Sequence, residues 1–305
     1  MNWEQARKML HLSSLTRAAS RGIHESTAPR PMPLKGVRAG AICIASGKGG
    51  TGKSVFTASI AARLSMTGRT LIVDADMGIG NAHILQGVTP DRSFVELVAG
   101  TAAPGEIVAR CGPQLDLIAA GSGVSSMSEL SPFELHRVAE AIEELEPDYR
   151  YLLVDSAAGV SNQTVMFAAA ADLVVVVTTP TVTAMTDAYA FMKVLLRCRP
   201  TAQPLLVVNR AHDFEEARSV VRRMESVCQR FLSRAPRWIG WIPDDPAVSR
   251  AVNARAAIVA HDPESPAARA LEHLSIMVLE ELSRVHCRGL GHSLMRRVVY
   301  SPKLA

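Results

Sequence analysis

The segment Ser46-Gly47-Lys48-Gly49-Gly50-Thr51-Gly52-Lys53-Ser54 constrains this chain more than any other. From Gly47 to Ser54 it fits the phosphate-loop pattern G-x-x-x-x-G-K-[ST], which functions only between a strand and the start of a helix. Both flanks comply: an apolar, β-rich run at 41–45 precedes it and a helical pattern at 53–66 follows. The glycines let the backbone N–H groups of Gly49, Gly50, Thr51 and Gly52 wrap a phosphate, and the helix N-terminus adds its positive dipole end. Lys53 is then placed to neutralise β- and γ-phosphates, and the Ser54 hydroxyl to ligate Mg²⁺. A merely flexible glycine-rich loop does not require Lys-Ser at the helix start.

The rest of the chain repeats the strand-then-helix alternation. Apolar runs at 41–45, 70–73, 115–119, 151–154, 173–178, 205–208 and 238–241 alternate with helical patterns at 53–66, 132–145, 162–170, 183–197 and 214–232, and a last helix is expected at 265–285. Runs apolar on both faces suit strands buried between two helix layers. The expected fold is α/β: a single P-loop NTPase domain over 38–286, with a mostly parallel twisted sheet and helices on both faces. The 305 residues are 48% hydrophobic, enough for such a core. An arm and Pro-rich linker are expected at 1–37, with Arg7, Arg17 and Arg21 in a pattern that resembles a transit peptide but lacks a secretory apolar core. No run approaches the roughly 20 apolar residues of a membrane-spanning helix. A net charge of +4 singles out no nucleic-acid or membrane partner, so any such partner must be argued locally. The five cysteines are scattered, with no C-x-x-C and no zinc-ligand spacing, so a reduced, cytoplasmic protein without a structural metal is expected.

Acids stand where strands end, the position at which open α/β sheets do their chemistry. Residues 151–154 run apolar into Asp155, a Walker B form, so Asp155 is expected to hold Mg²⁺ through water. The run Leu71-Ile72-Val73 ends in Asp74-Ala75-Asp76. One acid at a strand end is more often a cap than a ligand; three behind a phosphate loop reverse that expectation.

Lys48 departs from an ordinary phosphate loop. The order K-G-G-x-G-K-[ST] at 48–54 resembles the deviant Walker A ATPases of the ParA/MinD superfamily, and the resemblance runs from about 39 to 282. It implies ATP and Mg²⁺ as cofactors, an ATP-dependent homodimer in which Lys48 reaches the partner's phosphates, and slow, partner-stimulated hydrolysis. It implies Asp76 as the residue that orients the attacking water and Asp74 as support for the metal shell. Asn209 with Arg210, and the loop around Pro243 and Asp244, would contact the base. Asparagine after a strand is also a common turn residue, so both readings of Asn209 stand.

The run TTPTVTAMTDAY at 178–189 and DADMGIGN at 74–81 are most similar to the MinD-like subgroup of flagellar number and placement regulators, the FlhG or FleN group. Residues 4–10, EQARKML, partly resemble that subgroup's activation motif, which implies contact with an FlhF-like GTPase; a frayed amphipathic arm is the alternative. Ala82-His83 stands where the group usually has an apolar residue and an acid, and His83 is either a pH-sensitive contact or a surface histidine without a role. A partition ATPase of the ParA type is the main rival. It would bind DNA through surface basics, for which Arg218, Arg222, Arg223 and Arg230 qualify, although interleaved Glu215, Glu216 and Glu225 favour a salt-bridged face. A nucleotide-gated module holding a transcription regulator is a third reading. The basic tail, 287–305, repeats apolar Leu290, Leu294 and Val298 at helical spacing; it would either anchor the protein reversibly on the inner membrane surface or pack back on the domain.

Overall fold

The computed structural model describes residues 38–78, 80–121 and 130–300, with side chains to 298. The arm at 1–37, including the 4–10 motif, and the end of the tail lie outside the described residues. Eight strands form one sheet: β1 (Gly40–Ser46), β2 (Thr70–Ala75), β3 (Val108–Gly112), β4 (Leu115–Ile118), β5 (Tyr151–Ala158), β6 (Leu173–Thr178), β7 (Leu205–Ala211) and β8 (Arg237–Pro243). Their order is β3-β4-β2-β5-β1-β6-β7-β8, and only the β3–β4 pair is antiparallel. Each of the seven apolar runs is a strand, as expected. The strand not foreseen, β3, is a half-exposed edge that pairs back on β4.

The helices are α1 (Lys53–Leu64), α2 (Ala82–Leu85), α3 (Phe94–Ala99), α4 (Pro132–Leu145), α5 (Asn162–Ala170), α6 (Val182–Cys198), α7 (Phe214–Leu232), α8 (Pro246–Asn253), α9 (Ile258–His261), α10 (Pro266–Ser283) and α11 (Leu290–Tyr300). Side-chain alternation along the central strand sorts them into two layers. Ala41, Cys43 and Ala45 of β1 face a core closed by α4, α5, α6, α7 and α11, whereas Ile42 and Ile44 face a core closed by α1, α8, α9 and α10. Parallel strands with both faces covered place all their carboxyl ends on one rim, and the phosphate loop lies there, after β1.

The tail helix forms where its periodicity predicts, but it is not a free appendage. Leu290 and Leu294 are fully buried in the first core, with Met295 and Val298 packed beside them against α4 and α5. Burying two leucines stabilises the docked helix by about 1.5–3 kcal/mol each, so the compact unit continues past 286 through α11. Of the two readings of the tail, packing back on the domain is the one this face adopts, with Leu290 and Leu294 committed to the core. Polar contacts fix the junction as well: Glu146 accepts from the Leu290 N–H, and Asp172 Oδ1 accepts from the Arg288 N–H at 3.0 Å.

Candidate nucleotide site

The phosphate loop is shaped by two close approaches. A Cβ on Gly47 would stand 2.0 Å from the backbone of Asp187 in α6, and one on Gly52 would stand 2.1 Å from Asn209 Nδ2. Gly50 and Gly52 also adopt left-handed φ angles of 77° and 90°, which L side chains rarely tolerate. The loop is thus wedged between α6 and the end of β7, and glycine is required by contact as well as by conformation.

Its two lysines point to different places. Lys53 is buried, and its Nζ lies 3.2 Å from Asp155 Oδ1, which also accepts from Thr57 Oγ1 at 3.2 Å. Lys48 turns outward and donates to Thr183 Oγ1 of α6 at 3.0 Å, in an exposed position. Thr183 and Thr57 were not expected as site residues; Thr183 sits inside the 178–189 run, which sequence alone marks only as a family signature.

Asp74 and Asp155 are register partners on β2 and β5. Asp74 is fully buried, and its two oxygens accept from the Asp76 N–H at 3.2 Å and the Ala82 N–H at 3.1 Å. Burial first, then the charge of Asp155, push its carboxyl well above the usual range. Asp74 therefore organises the turn that carries Asp76, which is half-buried just past the strand. Ser54, Asp74 and Asp155 offer oxygen donors only, with no histidine or cysteine, and this suits Mg²⁺. Among the described residues no cluster of three acids, histidines or cysteines could hold a metal alone. A cation here would depend on phosphate oxygens and water for the rest of its shell, and it would relieve the crowding of two buried carboxyls.

Two cavities adjoin the loop. One, of about 460 Å³, lies over Lys48, Gly49 and Gly50 under Thr179, Pro180 and Thr181. The other, of about 250 Å³, is bounded by Gly52, Phe56, Asn209, Pro243, Asp244 and Val248. Arg210 borders both, at a left-handed φ of 57°, with its Nε 3.3 Å from Asp244 Oδ1.

A family model described as the CobQ/CobB/MinD/ParA nucleotide binding domain matches residues 42–258. The chain belongs to this MinD/ParA family. It is 30% identical over 262 residues to the antiactivator FleN of Pseudomonas aeruginosa, which covers 86% of this chain and 94% of that protein. The flagellum site-determining protein YlxH of Helicobacter pylori is 28% identical over 243 residues, 79% of this chain and 82% of that one. The septum site-determining protein MinD of Pyrococcus horikoshii, solved with Mg-ADP, superposes with a TM-score of 0.66 at 23% identity, over 78% of this chain and 94% of that one, and this likeness shows the fold.

Asn209, the 242–248 segment and His83 stand as follows around the loop. Asn209 borders the smaller cavity and also braces the phosphate loop: Nδ2 donates to the Thr51 carbonyl at 2.7 Å and Oδ1 accepts from the Arg210 N–H at 2.9 Å. The supposed loop at 242–248 is the end of β8, the pair Asp244-Asp245 and the start of α8, which Asp245 caps by accepting from the Ala247 N–H at 2.8 Å. His83 lies on α2, where burial and then Arg255 hold its ring below the usual range and favour the neutral form. The basic residues of α7 also differ from expectation. Arg218, Arg222, Arg223 and Arg230 are exposed, as a solvated face requires, but none is ion-paired with a glutamate among the described residues.

Proposed function

We propose that this protein is a Mg²⁺-dependent ATP hydrolase that switches as a nucleotide-bound homodimer and regulates the number or placement of flagella. The observation that carries the reading is the division between two lysines of one loop. Lys53 is aimed inward at Asp155, and Lys48 is aimed outward at a hydroxyl it can exchange for a phosphate. Kinship to FleN and YlxH supports the flagellar role, and the Mg-ADP complex of the MinD relative supports the cofactor pair.

In this reading backbone N–H groups of the loop hold the phosphates and Lys53 turns from Asp155 to the β- and γ-oxygens. Ser54 and Asp155, braced by Asp74, would hold Mg²⁺, which supplies charge neutralisation on the transferred phosphoryl. Asp76 positions the attacking water. Lys48 adds its charge to the partner's phosphates, so nucleotide state and dimerisation are coupled. Base contact falls to the small cavity beside Pro243 and Asp244. Hydrolysis then times the holding and release of a partner, for which the name antiactivator on FleN suggests a transcription activator and the 4–10 motif an FlhF-like GTPase. With five unpaired thiols, a reducing cytoplasm is the fitting compartment.

The unpaired arginines of α7 favour a second reading, DNA retention of the partition type. Counting flagella in cells that carry Lys53→Ala in place of the native gene separates the two. An altered flagellar count with normal chromosome inheritance supports the first reading; unchanged flagella with lost inheritance would sink it.

A further inference from the structure

The sheet end remote from the phosphate loop carries a larger cavity, of about 700 Å³, walled by Arg38, Arg288, Arg296, Arg297, His286 and His292. Arg199 lies close by: Arg288 and Arg297 each act on its charge. Two of these arginines have structural work. Arg199 donates to the carbonyls of Ala171 and Asp172, the latter at 3.3 Å, and Arg297 donates to the Cys198 carbonyl at 3.3 Å. They thereby serve the carboxyl ends of α5 and α6, where the helix dipole favours cations.

The other three are not explained in that way. Arg38 spends one N–H on the Arg288 carbonyl at 2.7 Å, and its charge also acts on Glu146. Arg288 Nε stands 3.9 Å from Asp172 Oδ1, an oxygen already accepting an N–H, while Oδ2 accepts from the Ala41 N–H at 3.0 Å. Arg296 is exposed and has no ion pair among the described residues. The acids nearby are also committed: Glu143 faces His292 at 3.6 Å and Glu146 holds the start of α11. Positive charge therefore exceeds negative charge around the cavity. Burial, then the neighbouring arginines, hold the Arg199 and Arg297 guanidiniums below the usual arginine range. Packing like charges this closely is unfavourable without a counter-charge, and guanidinium forks match the oxygens of a phosphate group in pairs.

We propose that this cavity is a second anion site, which takes a phosphate-bearing ligand between the start of β1 and helix α11. Its volume exceeds what one phosphate fills, so a diphosphate group or a phospholipid headgroup fits the chemistry. Because Arg38 precedes β1, Arg288 precedes α11 and Arg296 lies on α11, the ligand would tie the tail helix to the sheet.

Calorimetric titration of the full-length protein with inorganic pyrophosphate tests this, together with cosedimentation on phosphatidylglycerol and on phosphatidylcholine vesicles. Two equivalents of pyrophosphate are expected for the native chain, one at each end of the sheet. Arg288→Ala/Arg296→Ala should keep the phosphate-loop equivalent and weaken the second at least about tenfold, while Lys53→Ala should keep only the second. The paired Arg→Lys variant, folded with the same charge, should retain part of the affinity. Pyrophosphate binding at the second site identifies a soluble ligand. Pelleting with phosphatidylglycerol alone that is lost in the double Ala variant identifies a lipid headgroup. A single equivalent in the native chain with no vesicle binding, or identical behaviour of native and double Ala proteins, overturns the proposal.

Discussion

In the proposed mechanism Lys53 and Asp76 divide binding from turnover, and their substitutions should separate the two. Lys53 meets Asp155 in a buried pair, and phosphate oxygens are its other natural partner. A charge-assisted bond of this kind contributes roughly 1.5–3 kcal/mol, so Lys53→Ala should weaken ATP binding by about 10- to 100-fold in equilibrium titration. Lys53→Ala also leaves the Asp155 carboxylate buried and unpaired, so a lower melting temperature should accompany the loss. Asp76 sits outside the cradle, past the end of β2, with its N–H held by Asp74. Asp76→Ala should leave ATP affinity within about twofold while turnover falls by roughly 10²–10⁴, the range for a lost proton-handling or water-orienting group. Native turnover in that variant with its partner present would remove Asp76 from the mechanism.

At the scale of elements, the sequence shows buried strands and long helices clearly because their patterns extend over many residues. The helices α4, α5 and α7 form over the residue ranges their patterns predict. Elements set by few residues stay hidden. β3 reads Val-Ala-Arg-Cys-Gly and has no buried face of its own, and α9 has one turn. Local chemistry could still have revealed two of them: Ser93-x-x-Glu96 forms a capping box at α3, and Asp245-Pro246 caps and opens α8. The destination of α11 was not legible either, because an amphipathic face has the same spacing whether it meets lipid or protein.

The latch beneath α11 makes two predictions. Gly291 crosses α4 so closely that a Cβ would stand 2.4 Å from the Glu143 backbone nitrogen. Alanine there gains about 1 kcal/mol of helix propensity but overpacks against backbone that cannot yield, at about 1–3 kcal/mol. Gly291→Ala should therefore lower the melting temperature, and an unchanged or higher value would refute the close crossing. Glu146 is buried and pushed up to about 7, by desolvation first, against the Leu290 and Gly291 N–H groups and Arg38, with Asp172 adding to the rise. An acid whose folded pKa is raised binds its proton more tightly when folded. Its favourable contribution is complete below the unfolded value near 4.5 and is lost as pH climbs to about 7. Glu146→Gln stays neutral throughout, so its melting temperature should gain on the native chain steadily across that window. A constant difference would mean that Glu146 does not titrate there.

For the whole molecule, the phosphate-loop rim has features of a surface that meets another surface. Val160 follows β5 and Val182 follows β6 on that rim, 46% and 69% exposed, and Lys48 stands beside Val182 through its bond to Thr183. Among the described residues a lone chain gives the Lys48 ammonium one hydroxyl, and an exposed bond of that kind contributes little, about 0.5–1.5 kcal/mol. A second chain's γ-phosphate offers a full counter-charge in a site from which water is being excluded, and the two-fold symmetry of a homodimer supplies that gain twice. ATP should therefore convert monomer to dimer, whereas ADP, which lacks the γ-phosphate, should not. In the hydrolysis-blocked Asp76→Ala background, adding Lys48→Ala should shift the dimer dissociation constant upward by at least about 100-fold, which two lost charge-assisted contacts of roughly 1.5–3 kcal/mol each would produce. Thr183→Val, which removes only the resting partner of Lys48, should leave the dimer intact or tighten it by a few-fold. Sedimentation velocity on the three proteins with ATP and with ADP reads this directly. If Lys48→Ala dimerises as well as its parent, or if Thr183→Val abolishes the dimer, Lys48 acts within its own subunit and the coupling of nucleotide to dimerisation must lie elsewhere on the rim.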